Sequence, residues 1–457
     1  MYPQHSEVAA TNTRWNNFYD HQLNNPNDHK FVLHDGPPYA NGELHAGHAL
    51  NKVLKDVLLR FKLLSGYSVE YVPGWDCHGL PIELKAIENL NVSSPEDTRK
   101  ASLLKCRNYL FKIGVLSDHG IKATLQWINV LRQPNLRRFR IYFPRHFIFS
   151  VNNAYYLFTG PHAQSNCLII LLYLFIRSAI AESELEYNPE HKSCSIYLKI
   201  SLTRCSDRLV KKLSCDDLTG CFYRHPTRVF CEKPFLPSSH VYESIGTGLV
   251  HIAPCHGKED FEFAKKHNLP LISVYDLQQS HFSCCLHLVV KLLEPITIHK
   301  EVISHSYPYD WRTKKPVIIQ LSNQWFINTE KISHLALEEY KNVNVIPASH
   351  KLSMLPFLSQ RPNWCISRQR AWGVPIPVLF KKTDNSPIVD HDLIDHIASR
   401  VASEGSDFWF TEACDQLIPK WFWKKWALTS HDVYKSTEVF DVWFDSGLSW
   451  LCVLNSK

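Results

Sequence analysis

Apolar positions along the chain fall into short runs and helical stripes separated by turn residues. Phe31-Val32-Leu33 is a short apolar run of the kind a buried strand presents, and His34-Asp35-Gly36-Pro37-Pro38 breaks it. After Asn41-Gly42, the residues Leu50, Val53, Leu54, Val57, Leu58 and Phe61 recur at helical spacing, which predicts a helix. Ser65-Gly66 stops it. Residues 68–72 form a second predicted strand, closed by Pro73-Gly74. Trp75-Asp76 emerges at its carboxyl end, where open parallel sheets bind ligands. Alternation over residues 195–200 predicts another strand, and residues 441–447 read as a strand and turn. Residues 1–30 look like an amphipathic lead-in, with Trp15, Phe18 and Tyr19 placed to pack on the domain that follows.

The first helix carries candidate chemistry. His45 and His48 sit three apart in its first turn, on one face, beside backbone N–H groups that have no partner within the helix. A helix start carries partial positive charge and is a natural seat for phosphate. Two imidazoles there add donors for the oxygens of a phosphoryl group, and Gly47 between them is expected to leave room for a nucleotide against the backbone. The same four letters also fit a capped helix with two solvated histidines. Asp76 has two readings as well. A partly desolvated carboxylate gives a substrate ammonium a charge-assisted hydrogen bond, while a turn aspartate bonds its own backbone.

Composition narrows the class. The chain has 457 residues, and a prior of about 150 residues per domain allows roughly three domains. A hydrophobic content of 45% supports sizeable cores and argues against wholesale disorder. The net charge of +6 is mild and spread along the chain, compatible with an RNA partner without requiring one. None of the 14 cysteines forms a C-x-x-C pair, so free thiols in a reducing compartment are expected. The longest apolar run, residues 167–176, falls short of the ~18 residues that span a bilayer, so no membrane association is expected. The first twenty residues lack the apolar core of a signal peptide and the Arg-rich bias of a transit peptide.

Several longer motifs follow one another in order. HDGPPYANG at 34–42, HAGH at 45–48 and GWDCHGLPIE at 74–83 resemble the first half of a class I aminoacyl-tRNA synthetase active site, in the wording of the isoleucyl enzymes of bacterial and mitochondrial type. GTGLVH at 246–251 and APCHGKED at 253–260 resemble that family's inserted editing domain. SYPYDWRTKKP at 306–316, WCISRQRAWGVPIP at 364–377 and DVWFDSG at 441–447 resemble the second half of its nucleotide-binding domain.

The resemblance implies an α/β fold: a split Rossmann-like parallel-sheet catalytic domain interrupted by a mainly β editing-type insertion. Residues 1–115 would be the first half of the catalytic domain and 321–457 the second. Residues 181–320 would be the insertion, and 116–180 stay an unassigned, atypical segment expected to pack poorly. The implied activity is ATP-dependent activation of isoleucine and its transfer to tRNA(Ile), with ATP as substrate and Mg2+ as its companion ion. The family likeness favours the mitochondrial matrix over the cytoplasm and a monomer over an oligomer.

By the same resemblance, His45 and His48 are catalytic and join Asn41, Gly42 and Gly47 in binding ATP. Gly36, Pro37, Asp76 and Trp372 would bind isoleucine, with Asp76 on its ammonium and Trp372 along its side chain. His251 and Asp260 would edit misattached valine, and no resident metal is expected. Two departures bear on editing. Cys255 stands where the family carries glycine, and the threonine-rich segment of that pocket is not found between Ser201 and Ile245. The chain also ends before the KMSKS loop and the anticodon-binding helices. The alternative is therefore a catalytically inactive synthetase-like fragment, at most binding a ligand or a partner.

Overall fold

The computed structural model describes residues 29–34, 45–72, 78–87, 94–112, 163–173, 178–181, 184–204, 218–224, 232–242, 246–271, 290–359 and 363–447. The chain divides into two compact units, Met1–Ser165 with Trp325–Lys457 and Asn166–Gln324.

The first unit opens with strand β1 (Lys30–His34), helix α1 (Ala46–Leu64) and strand β2 (Ser68–Val72). β1 and β2 pair in parallel, Phe31 opposite Val69 and Leu33 opposite Tyr71. Parallel neighbours need a crossover between them, and α1 supplies it. This pair represents the expected parallel sheet among the described residues. Leu59, Val69 and Tyr71 form its core, with Phe31, Leu33 and Leu63 packed alongside.

The helix is where the apolar period predicts it, but the predicted stripe is not its buried face. Leu50, Phe61 and Leu64 are 61%, 63% and 74% exposed, and Val53, Leu54, Val57 and Leu58 are exposed as well. α1 meets the strands through Leu59 and Leu63, and the Lys52 ammonium reaches the Tyr71 hydroxyl at 3.5 Å. Two strands cover one edge of a helix and leave a stripe this wide in water. Helices α2 (Leu80–Ile87) and α3 (Pro95–Lys112) follow, with Leu80, Ile82, Glu83 and Ala86 buried on α2.

The segment left unassigned by sequence contains two strands, β3 (Ala163–Tyr173) and β4 (Ser178–Ile180). They pair antiparallel, and Ser178, Ala179 and Ile180 are buried, so this end of the segment is packed rather than loose. Residues 113–162 lie outside the described part.

The second unit is mainly β among its described residues. Its longest feature is an antiparallel ribbon of β5 (Leu185–Leu198) and β9 (Thr297–Asp310), with a register shift between Asn188 and His191. The predicted strand at 195–200 falls on the last part of β5, which ends at Leu198, two residues earlier than expected. Short strands β6 (Leu202–Arg204), β7 (Phe222–Arg224) and β8 (Glu232–Pro234) form a separate three-stranded sheet. Helix α4 (Lys258–Lys266) starts after Gly257.

The first unit resumes at Trp325, within strand β10 (Ile318–Asn328), and β11 (Asn363–Cys365) pairs antiparallel with the end of β10. β12 (Ser367–Arg368) pairs with β16 (Val439–Phe440), and β13 (Leu379–Lys381) lies between β14 (Pro387–Ile388) and β15 (Val433–Lys435). One core gathers Leu379, Ile388, Leu393, Ile397, Trp409 and Phe422; another gathers Trp325, Ile366, Ile376, Phe440 and Phe444. The stretch 441–447, predicted as strand and turn, is helical from 442 onwards. Asp441 decides this: its carboxylate accepts from the Trp443 N–H at 3.2 Å, and its carbonyl accepts from the Phe444 N–H at 2.8 Å. An aspartate in that place starts a helix.

Candidate active site

His45 is not in the first turn of α1 but is its N-cap, with extended backbone (φ −132, ψ 170). Its Nδ1 accepts from the Gly47 N–H at 3.1 Å, and the His45 N–H donates to His48 Nδ1 at 3.3 Å. The two histidines form a reciprocal capping box, and their ring centroids lie 3.9 Å apart. Both Nδ1 atoms are acceptors here, so in each neutral ring the proton sits on Nε2. Burial lowers the His48 pKa, and the neighbouring His45 and Lys52 lower it further. His48 therefore works as a neutral donor near pH 7. The helix start thus offers paired Nε2–H donors beside backbone N–H groups, a set suited to anionic oxygens.

Gly47 also has a structural role in the cap. A Cβ there would lie 2.9 Å from His45 Cε1 and 3.0 Å from Nδ1. The space over this glycine holds the His45 ring, so the cap itself requires a glycine here. Asn41, Gly42, Gly36, Pro37 and Asp76 lie outside the described residues.

Trp372 is the one predicted isoleucine-pocket residue that is described, and it is buried. Three sequence motifs converge on it. Glu83, from α2, accepts the Trp372 backbone N–H at 3.0 Å. His78 meets the Trp372 ring edge-on, centroids 6.1 Å apart, and its Nε2 lies 2.9 Å from Asp445 Oδ2. Gly79 has φ +115 where a Cβ would meet Val442 at 3.3 Å, and a Cβ at Gly373 would meet Val439 at 3.0 Å. These glycines let residues 78–83, 370–373 and 439–445 close on one another.

The electrostatics are concentrated in the same place. Desolvation raises the Glu83 pKa, against the pull of Arg370, the Trp372 and Ala371 backbone N–H groups and His78. Arg368 forms a buried ion pair with Asp441 and also donates to the carbonyls of Cys365 and Ser367. Gln369 donates to Glu438 at 2.8 Å, and burial pushes the Glu438 pKa up to about 7.

His78, Glu83, Asp445, Arg370 and Glu438 escaped the sequence reading. The available signal was charge inside otherwise apolar motif stretches, such as Glu83 after Leu80-Pro81-Ile82.

Glu438 makes a pH prediction. Its folded pKa lies above the unfolded value, so its contribution to stability is present in acid and is lost as pH rises through about 7. Glu438→Gln should flatten the stability–pH curve between about 4.5 and 7. Denaturation midpoints across that window check this; an unchanged slope counts against it.

In the second unit, Asp260 accepts the Ala253 N–H at 2.8 Å, which ties the preceding turn to the helix. His251 Nδ1 lies 2.7 Å from the Tyr223 hydroxyl. Desolvation and Lys233 lower the His251 pKa, against Asp260. Cys255 needs no glycine-like backbone: it is buried against Phe261 and Leu321, and its carbonyl accepts the Leu321 N–H. Among the described residues no three His, Cys, Asp or Glu side chains converge as a metal site, and no helix is long and apolar enough to cross a membrane.

Residues 11–457 match the family of tRNA synthetases class I (I, L, M and V). The chain belongs to this class I tRNA synthetase family. It is 34% identical over 521 aligned positions to the mitochondrial isoleucine–tRNA ligase of Gallus gallus, covering 93% of this chain and 50% of that protein. The isoleucine–tRNA ligase of Synechocystis sp. is 32% identical, covering 95% and 52%. Among solved structures, the Agrobacterium radiobacter K84 agnB2 LeuRS–tRNA–LeuAMS complex is similar, with TM-score 0.40 and 14% identity over 97% of this chain and 59% of that one. This class I synthetase chain spans about half the length of the curated relatives it matches.

Proposed function

We propose that the chain serves ATP-dependent activation of isoleucine and its transfer to tRNA(Ile), in mitochondria. The observation that carries this reading is the closure of three separate motifs on Trp372 through Glu83, His78 and Asp445. An isoleucine side chain is apolar and rigid, and a fixed indole gives it large contact at little entropy cost. The family resemblance assigns Gly36 and Pro37 to the isoleucine site as well, and Asp76 to the substrate ammonium. The amino-acid carboxylate attacks the α-phosphate of ATP, and pyrophosphate leaves. Nε2–H donors on His45 and His48 meet the phosphate oxygens, and the family resemblance assigns Asn41, Gly42 and Gly47 to nucleotide binding. No side chain acts as nucleophile; positioning and electrostatics lower the barrier. Mg2+ accompanying ATP as part of the substrate would supply charge neutralisation.

The second unit serves editing of misattached valine. One methylene separates valine from isoleucine, too small a difference for one apolar pocket to reject. Asp260, already anchored by the Ala253 N–H, takes the ammonium, and neutral His251, held by Tyr223, is the group assigned to the hydrolytic water.

A non-hydrolysable isoleucyl-adenylate analogue tests the reading. Calorimetry should show it binding more tightly than the leucyl and valyl analogues, with the preference lost in Trp372→Ala. Equal affinity for all three analogues would count against isoleucine as the substrate.

A further inference from the structure

The β5–β9 ribbon carries a side-chain cluster that adenylation and editing leave unused. His191 stands directly opposite His305 in the register. Ser193 on one strand, and Tyr307 and Tyr309 on the other, follow at two-residue spacing, so all five share one face. That face is half-buried, while Lys192, Cys194, Ser304 and Ser306 on the opposite face are exposed.

The two imidazoles stand at the separation of a chelating pair. Their ring centroids are 5.3 Å apart with planes at 88°. One tetrahedral ion with nitrogen bonds of about 2.0–2.1 Å holds two imidazole centroids roughly 5 Å apart. His305 Nδ1 lies 3.1 Å from the Ser306 carbonyl oxygen, which accepts only, so Nδ1 carries the proton and Nε2 keeps a lone pair. The Ser193 Oγ is 2.6 Å from that Nε2. His191 Nδ1 lies 2.7 Å from the Tyr309 hydroxyl, and with Nδ1–H donating there its Nε2 also keeps a lone pair. Stacking on Tyr307, centroids 4.6 Å apart, fixes the His191 ring. An imidazole with one N–H tied to oxygen and a lone pair on the other nitrogen is the arrangement of metal-ligating histidines, and at His305 that lone pair accepts from the Ser193 hydroxyl.

We propose that His191 and His305, with the Ser193 hydroxyl as third donor, bind a borderline divalent cation such as Zn2+. Two imidazole nitrogens favour Zn2+, Cu2+ or Ni2+ over the oxygen-seeking Mg2+ and Ca2+. An ion at His305 Nε2 replaces the Ser–His hydrogen bond, the hydroxyl stays protonated as a neutral ligand, and water fills the open position. The bound ion ties β5 to β9 through side chains and slows opening of the ribbon.

Calorimetric titration of the full chain with Zn2+ alone, in a non-chelating buffer, tests the site. One Zn2+ should bind in a manner that His191→Gln and His305→Gln each weaken at least about tenfold, since even a supporting partner of a ligand is worth about that much. His299→Gln, on the same strand, should leave binding unchanged. Ser193→Cys should tighten it about tenfold or more, because a thiolate then takes the third position. Circular dichroism establishes that each variant is folded. Binding indifferent to both histidine substitutions, or none tighter than about 1 mM, would overturn the site. A Ser193→Cys chain with unchanged affinity would overturn the three-donor geometry.

Discussion

Asp441→Ala should destabilise the first unit by about 3–5 kcal/mol, the cost of leaving one member of a buried ion pair behind. Arg368 and Asp441 are 4% and 5% exposed at their side chains, so water cannot replace the lost partner. The same substitution removes the acceptor of the Trp443 N–H, and with it the start of the turn that carries Asp445. Asp441→Asn keeps that acceptor and loses only charge, so it should fall between wild type and alanine. Urea denaturation with a probe in the first unit reads both. A shift below about 1 kcal/mol for alanine would mean that the pair behaves as a surface bridge.

Glu83→Ala should weaken binding of the isoleucyl-adenylate analogue by roughly ten- to a hundredfold, or about 1.4–2.8 kcal/mol. Glu83 does not reach substrate in this reading; it positions Trp372 by accepting its backbone N–H. Without that acceptor the N–H is buried and unsatisfied, and Arg370 loses the charge it faces. Glu83→Gln keeps an acceptor and should recover much of the affinity. A purely structural role would lower stability in both variants and leave the folded protein's affinity intact, so affinity is measured well below the unfolding temperature. Equal affinity for alanine and wild type would remove Glu83 from the positioning set.

The βαβ start of the chain was legible because strand and helix periods differ, and its turn residues fall between them. The partner of the α1 stripe was not legible, because periodicity identifies an apolar face and says nothing about what covers it. The histidine pair was found by its spacing, but not the fact that His45 caps the helix and that Gly47 serves the cap. That depends on ring placement, which four letters do not encode. Residues 441–447 were misread because Val442, Trp443 and Phe444 have strand propensity, and the Asp441 cap overrode it. Trp372 was found through a motif, whereas Glu83, His78 and Asp445 were missed. Their roles arise from contacts between segments hundreds of positions apart, such as the Glu83–Trp372 bond.

The open stripe on α1 also governs how this protein behaves in solution. Leu50, Leu54, Val57, Phe61 and Leu64 present a continuous apolar ridge to water. Attraction between such ridges weakens on cooling and strengthens with sulfate or phosphate, which are excluded from protein surfaces. Cold, low-sulfate buffers should therefore weaken any attraction between such ridges, and warming or salting should strengthen it.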